Sequence, residues 1–261
     1  MSGHVLITGA SKGIGRALAE LCAAAGHDLV LVARSEDLLQ ALADELTEQH
    51  DISARVESCD LLDADTPSLL FEQLEEDGVD IDILINNAGF GDTGRFDTLR
   101  RDRQLGQIDL NVRALTELTH LFLPGMVARR RGRILNIAST AGFQPGPHMA
   151  VYYATKAYVI SFTEAIHEEL RGTGVTATAH CPGATASEFS AVSGNDKTRL
   201  FQQGHVASSE AVAAHAYAAM MRGDALAIHG AQNWLGAFMV RLAPRWLLRR
   251  VVARINQPAG S

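Results

Sequence analysis

Seven short apolar runs, spaced by longer segments of helical period, constrain this chain more tightly than any other property. The candidate strands are Val5–Ile7, Asp28–Val32, Ser53–Glu57, Ile81–Ile85, Gly132–Ile137, Val175–His180 and Ala225–His229. Leu29–Val32 and Ile81–Ile85 read as strands covered on both faces, which is the habit of parallel sheets. Between the runs lie segments such as Gly15–Ala25, Leu38–Glu48 and Tyr153–Arg171. This alternation predicts βαβ units, hence an α/β fold: one Rossmann-like, doubly wound parallel sheet of about seven strands with helices on both faces. Residues 1–230 are expected to form the domain built on this sheet, and 231–261 a short basic, amphipathic, helical extension packed on or beside it.

A chain of 261 residues buries a core without staples, and its composition, 47% hydrophobic and 20% charged, is ordinary for a globular protein. The formal charge of −7 argues against a general nucleic-acid binder, which needs a basic surface. Cys22, Cys59 and Cys181 are far apart and have no CxxC partner, so neither structural zinc nor a disulfide framework is expected. The histidines lack ligand spacing, and no metal is expected. Met1-Ser2-Gly3-His4 leads straight into a strand, and no apolar run reaches the about 18 residues of a membrane span. A cytoplasmic location is the expectation.

The first strand runs into Thr8-Gly9-Ala10-Ser11-Lys12-Gly13-Ile14-Gly15 and then into a helix. Glycines in such a turn let the backbone approach a pyrophosphate, whose charge meets the helix N-terminus. The spacing is Gly-x3-Gly-x-Gly, with Gly9, Ser11, Lys12, Gly13, Ile14 and Gly15 as candidate contacts. The second strand ends in Val32-Ala33-Arg34-Ser35, where an acid would accept the ribose hydroxyls of NAD(H). Arg34 stands there instead and Lys12 adds a second cation. Both point to NADP(H) over NAD(H).

Tyr152 and Lys156 are four residues apart at the start of a helical segment, and so share a face one turn apart. Tyr153 projects roughly 100° away and is the weaker candidate. A free phenol ionises near pH 10, and a neighbouring ammonium is expected to draw that value down. Ser139, at the end of the strand Arg133–Ile137, can donate to an oxygen on which charge develops.

With these residues in order, the chain resembles the short-chain dehydrogenase/reductases over about residues 4–230. Thr8–Gly15 resembles the family's cofactor loop. Asp60-Leu61 resembles the pair whose acid meets the adenine amine. Asn86-Asn87-Ala88-Gly89 matches the motif that steadies the central sheet and lines the cofactor, through Asn87, Ala88 and Gly89 here. Asn111 sits where the family has an asparagine that holds a water beside the lysine. Ser139, Tyr152 and Lys156 match its Ser…Tyr-x3-Lys set with the expected 13-residue gap. Pro182-Gly183 resembles the turn at the nicotinamide end, and the carboxamide partner is either Thr185 or Ser187.

The resemblance implies reversible hydride transfer between a nicotinamide and a carbonyl or secondary alcohol, with a homodimer or homotetramer as the assembly. Tyr152 would be the acid and base, Ser139 would hold the oxygen, Lys156 would bind the nicotinamide ribose, and Asn111 would relay protons. The loops Phe90–Arg95, Phe143–Met149 and Phe189–His205 mix apolar groups with few fixed charges, and Arg95 is the one evident cation of the first two. An apolar ketone, 3-oxoacyl or steroid-like, is preferred to a sugar or an acid. The alternatives are a non-catalytic NADP(H)-binding sensor or scaffold, and an epimerase or dehydratase on the same fold.

Three further residues have plain expectations: His148 as an exposed loop residue, His167 on a solvated or subunit-facing helix side, Cys181 as a small buried apolar group. In the tail a helix from Pro244 would set Leu247, Leu248, Val251, Val252 and Ile255 on one face. Arg245, Arg249, Arg250 and Arg254 would surround the other, with Trp246 among them. Packing on its own subunit or over the cleft is favoured, ahead of contact with an anionic membrane surface.

Overall fold

The computed structural model describes residues 3–186 and 206–257. Strands β1 (His4–Thr8), β2 (Leu29–Ala33), β3 (Ala54–Ser58), β4 (Ile81–Asn86), β5 (Gly132–Ile137), β6 (Val175–Cys181) and β9 (Leu226–Ile228) form one parallel sheet in the order β3-β2-β1-β4-β5-β6-β9. Every one of these strands lies where the sequence places it. A two-residue pair, β7 (Thr185–Ala186) with β8 (Ala207–Ser208), is additional and too short to leave a periodic signal.

Side chains alternate across each strand, so the sheet feeds two cores. On one face Val5, Ile7, Leu29, Leu31, Ile83 and Ile85 pack against α1 (Gly13–Ala24), α2 (Glu36–Gln49) and α7 (Ser209–Arg222). On the other, Leu6, Val30, Val32, Leu84 and Ile134 meet α3 (Thr66–Glu76) and α5 (Leu115–Ala128). Helix α4 (Arg101–Ile108) precedes α5, and α6 (Ala150–Glu169) follows β5. The last two helices, α8 (Ala231–Leu242) and α9 (Arg245–Asn256), come after β9.

Helix α6 begins at Ala150, ahead of the expected Tyr153, which puts Tyr152 inside its first turn. His167 departs from expectation as well: its Nδ1 lies 2.8 Å from the Ala177 carbonyl, so it is tied to β6 of its own subunit. The strand order runs outward in opposite directions from the β1–β4 pair. The loops after β1 and β4 therefore diverge and leave a crevice at the carboxyl ends of the strands.

Near the β6–β9 end of the sheet His180 is fully buried, its Nε2 3.0 Å from His215 Nδ1, with the His229 ring centroid at 6.5 Å. Burial, aided by the two neighbouring imidazoles, pushes its pKa down to about 3. The folded state thus refuses a proton that the unfolded chain accepts below about 6.5, and stability falls as pH drops through that window. Replacing His180 with Leu should reduce the slope of the urea midpoint against pH by about one proton. An unchanged slope would show that acid sensitivity originates elsewhere.

Candidate active site

The turn between β1 and α1 is built for close approach. Gly9 takes φ +66° and Gly13 φ +56°, values that side chains rarely adopt. A Cβ at position 15 would fall 2.2 Å from the Gly9 carbonyl oxygen, so only glycine lets the helix start so near the turn. Ser11 and Ile14 are half-buried in this turn, and Lys12 is exposed at the N-cap of α1. The chain beyond β4 fastens the turn. Asn87 Nδ2 donates to the Thr8 carbonyl at 2.9 Å and the Gly9 carbonyl at 3.2 Å, while Thr8 Oγ1 accepts from the backbone N–H groups of Asn87 and Ala88, both at 3.0 Å.

Arg34 is exposed directly after β2, between Ala33 and the N-cap Ser35 of α2. Asp60 is exposed beyond β3, with Oδ1 accepting the Leu62 N–H at 3.1 Å, and Leu61 beside it is buried. A glycine cradle at a helix N-terminus, with Arg34 and Asp60 after the next two strands, fits a dinucleotide laid across the crevice.

Three of the sequence candidates meet beside this cradle. The Tyr152 hydroxyl is hydrogen-bonded to the Ser139 side chain, whose Oγ also accepts the Ala141 N–H at 3.1 Å. The second bond belongs to Ser139 as N-cap of a 3-10 turn over Thr140–Phe143. Lys156 lies one turn along α6, buried, its Nζ donating to the Ile137 carbonyl at 2.6 Å and lying 5.9 Å from the Tyr152 ring centroid. Burial lowers the Lys156 pKa to about 8. The phenol departs from expectation: burial raises its pKa, and the bond from Ser139 offsets only part of that. The ammonium does not dominate because it is aimed at a backbone carbonyl and stands off from the ring.

Asn111 occupies a π-helical turn over Asp109–Ala114 that joins α4 to α5. Such widened turns have no periodic signature in sequence and recur at functional sites. Its Oδ1 accepts the Phe90 N–H at 3.1 Å, and its Nδ2 donates to the Phe90 carbonyl at 2.9 Å and to Thr155 Oγ1 at 3.1 Å. The amide is thus committed to holding the chain after Gly89 against α6. A Cβ on Gly89 would come within 2.9 Å of Asn111 Oδ1.

Pro182 and Gly183 follow β6, and a Cβ at 183 would lie 2.4 Å from Asn233 of α8. Thr185 is buried, its Oγ1 donating to the Gly183 carbonyl at 3.1 Å. Ser187 and the loop Phe189–His205 lie outside the described residues. Cys181 is fully buried and its thiol is pushed up to about 12 by burial, as befits a packing group. His148 is half-buried at φ +69°, not an exposed loop residue, and its carbonyl accepts the Gly94 N–H at 2.8 Å. That bond joins two of the three loops expected to shape the substrate.

The residue that sequence analysis missed is Asn256. It is fully buried at the end of α9, where its Nδ2 donates to the Pro147 carbonyl at 2.9 Å and its Oδ1 accepts the Tyr153 hydroxyl at 3.1 Å. These bonds set the roll of α9. Leu248, Val252 and Ile255 turn towards the protein, whereas Leu247 and Val251, expected on the same face, are 40% and 43% exposed. Val252 packs with Ala141, Met149, Tyr152 and Tyr153, so the terminal helix braces the loop ahead of the phenol. The one available signal was a lone side-chain amide in a helix of arginine and apolar residues.

Asn256→Leu should destabilise the protein by about 1–3 kcal/mol for each group left buried and unpaired. Tyr153→Phe should cost less, because it orphans a single acceptor. Urea denaturation of both variants checks this, and midpoints equal to that of the parent would show that the clamp carries no stability.

Residues 3–198 match the family model described as short chain dehydrogenase. A very-long-chain 3-oxoacyl-CoA reductase from Laccaria bicolor is 36% identical over 173 residues, 66% of this chain and 51% of that protein. The chain therefore spans about half the length of that relative. A short-chain dehydrogenase from Sphingobium yanoikuyae, solved in complex with NADPH, superposes with a TM-score of 0.82 at 34% identity, over 92% of this chain and 94% of that one. The bulky-bulky ketone specific alcohol dehydrogenase from Comamonas testosteroni superposes with a TM-score of 0.77 at 31% identity, over 92% of both chains. With the family model matched over most of its length, and the glycine cradle and Ser139–Tyr152–Lys156 cluster assembled at one crevice, the chain belongs to the short-chain dehydrogenase family.

Proposed function

We propose that this protein is an NADP(H)-dependent oxidoreductase that interconverts an apolar ketone and its secondary alcohol, with Tyr152 as the acid and base. The observation that carries the proposal is the buried phenol of Tyr152, hydrogen-bonded to Ser139, with Lys156 one helical turn away. The coenzyme, when bound, supplies or accepts the hydride. In the reducing direction Ser139 holds the carbonyl oxygen and Tyr152 gives it a proton as negative charge develops there. Because burial holds the Tyr152 pKa high, the phenol keeps its proton through the neutral range, which suits the acid role. Lys156 stands where it can bind the nicotinamide ribose and help restore the phenolic proton, and Asn111 keeps the flanking chain in place for that relay.

Arg34 and the missing acid at the end of β2 support NADP(H), in keeping with the NADPH found in the Sphingobium yanoikuyae structure. An apolar substrate is supported by Phe90, Phe143 and Met149 in the loops beside the crevice. The cation that an acidic substrate would want, Arg95, is paired with Asp97 at 3.0 Å. The names of the 3-oxoacyl-CoA reductase and bulky-ketone dehydrogenase relatives point the same way. Assembly as a homodimer or homotetramer belongs to this reading, on the strength of family membership alone.

In an NADPH-oxidation assay against a panel of ketones, the protein should turn over apolar 3-oxo compounds faster than sugars. Tyr152→Phe should lower that turnover by about 10²–10⁴-fold while leaving NADPH binding nearly intact. Substantial retained activity would remove the role given to the phenol. Arg34→Asp should move the preference towards NADH, measured as the ratio of kcat/KM values for the two coenzymes. An unchanged ratio would place recognition of the 2′-phosphate elsewhere.

A further inference from the structure

The outer side of the two C-terminal helices has no occupant within the described chain. Among the described residues, half of the large hydrophobic side chains that are exposed lie between positions 234 and 251: Trp234, Leu235, Phe238, Met239, Leu242, Trp246, Leu247 and Val251. Both tryptophans of the chain are in this group, 58% and 54% exposed, although tryptophan is ordinarily well buried. On α8 the first five fall within an arc of about 140° at 100° per residue, so they make one continuous stripe. Trp234 and Phe238 stack along it with ring centroids 5.9 Å apart.

The charge around this stripe is all of one sign. All 30 acidic residues lie at or before Asp224, whereas Arg241, Arg245, Arg249, Arg250 and Arg254 follow it and are exposed. A chain of net charge −7 has thus gathered five cations with no acid among them next to the exposed apolar stripe of α8. The Arg250 guanidinium sits 5.3 Å over the Trp246 ring, a pairing of cation and amphipathic indole.

We propose that α8 and α9 form a docking surface for an anionic lipid membrane. Apolar and indole side chains enter the boundary between headgroups and acyl chains, and the arginines meet the lipid phosphates. Lipid suits the patch better than a second copy of this chain, because a symmetric partner would bring five more arginines to face the first five. Rolling α9 inward cannot hide Leu247 and Val251 either, since Asn256 is bonded to Pro147 and Tyr153 on the inner side. No helix of the described chain is long and apolar enough to cross a membrane, so the contact lies in the interfacial plane.

The patch adjoins the crevice. Helix α8 packs against the 3-10 turn over Thr140–Phe143 and presents Asn233 to Gly183, while α9 braces the loop at Pro147. Docking would therefore place the crevice mouth beside the bilayer, where apolar ketones dissolve. That consequence rests on the proposed function; the binding itself does not.

Because Trp234 and Trp246 are the only indoles, selectively excited tryptophan fluorescence of the full chain reports on this patch alone. With vesicles of phosphatidylglycerol and phosphatidylcholine the emission should shift to the blue and the protein should co-sediment. Phosphatidylcholine alone should give little of either. The double variant Arg245→Glu/Arg249→Glu should weaken partitioning by about tenfold or more, and Phe238→Ser/Leu242→Ser should also weaken it, with far-UV circular dichroism unchanged in both. Activity towards a water-soluble ketone, measured in parallel, separates loss of docking from loss of the site. Unaltered emission and no pelleting with anionic vesicles would overturn the proposal. It would equally be overturned by indoles already shielded from acrylamide in the free protein, or by a dimer in sedimentation velocity that these substitutions dissolve, which would assign the patch to a second copy.

Discussion

The bonds between the ends of β1 and β4 govern everything at the crevice. Thr8 Oγ1 accepts the Asn87 and Ala88 N–H groups, and Asn87 Nδ2 donates to the Thr8 and Gly9 carbonyls, four hydrogen bonds of 2.9–3.2 Å across the point where the strand order reverses. One strand beyond, Asn86 Nδ2 donates to Asn136 at 2.9 Å and to Thr119 at 3.1 Å, and Asn136 reaches Thr163 of α6 at 2.9 Å. Buried amides tied to one another and to two helices specify a unique arrangement, because any slip breaks these bonds. The glycine turn, the strand that delivers Ser139 and the helix that carries Tyr152 are thereby fixed relative to one another.

Within that frame burial dominates electrostatics. Lys156 and Tyr152 are both nearly removed from water, and each is pushed towards its neutral form. Lys156 is compensated by a single short bond to a backbone carbonyl. A neutral phenol and an ammonium whose pKa is lowered to about 8, held close together, are poised for proton exchange once charge arrives beside them.

The terminal helices connect this centre with the outer surface. Asn256 grips the loop ahead of Tyr152 from one side of α9, and the other side of the same helix bears Trp246 and Arg250. The two faces are set by one roll angle, so the contacts that brace the site also decide which apolar residues remain outside.

Much of this was legible in the chain itself. Seven strands in a parallel sheet follow from short apolar runs and helical spacers, since side-chain period and strand length are local properties. The glycine turn and the Ser139, Tyr152 and Lys156 set were readable because chemistry there demands particular residue types at fixed spacing. Tertiary structure alone decided the π-turn at Asn111, the high pKa of the phenol, the tie from His167 to β6 and the roll of α9. Each of these depends on which distant groups become neighbours, and on how much water they exclude. Linear order does not encode such distances: Asn256 meets Tyr153 across 103 residues, and only the folded sheet brings them together.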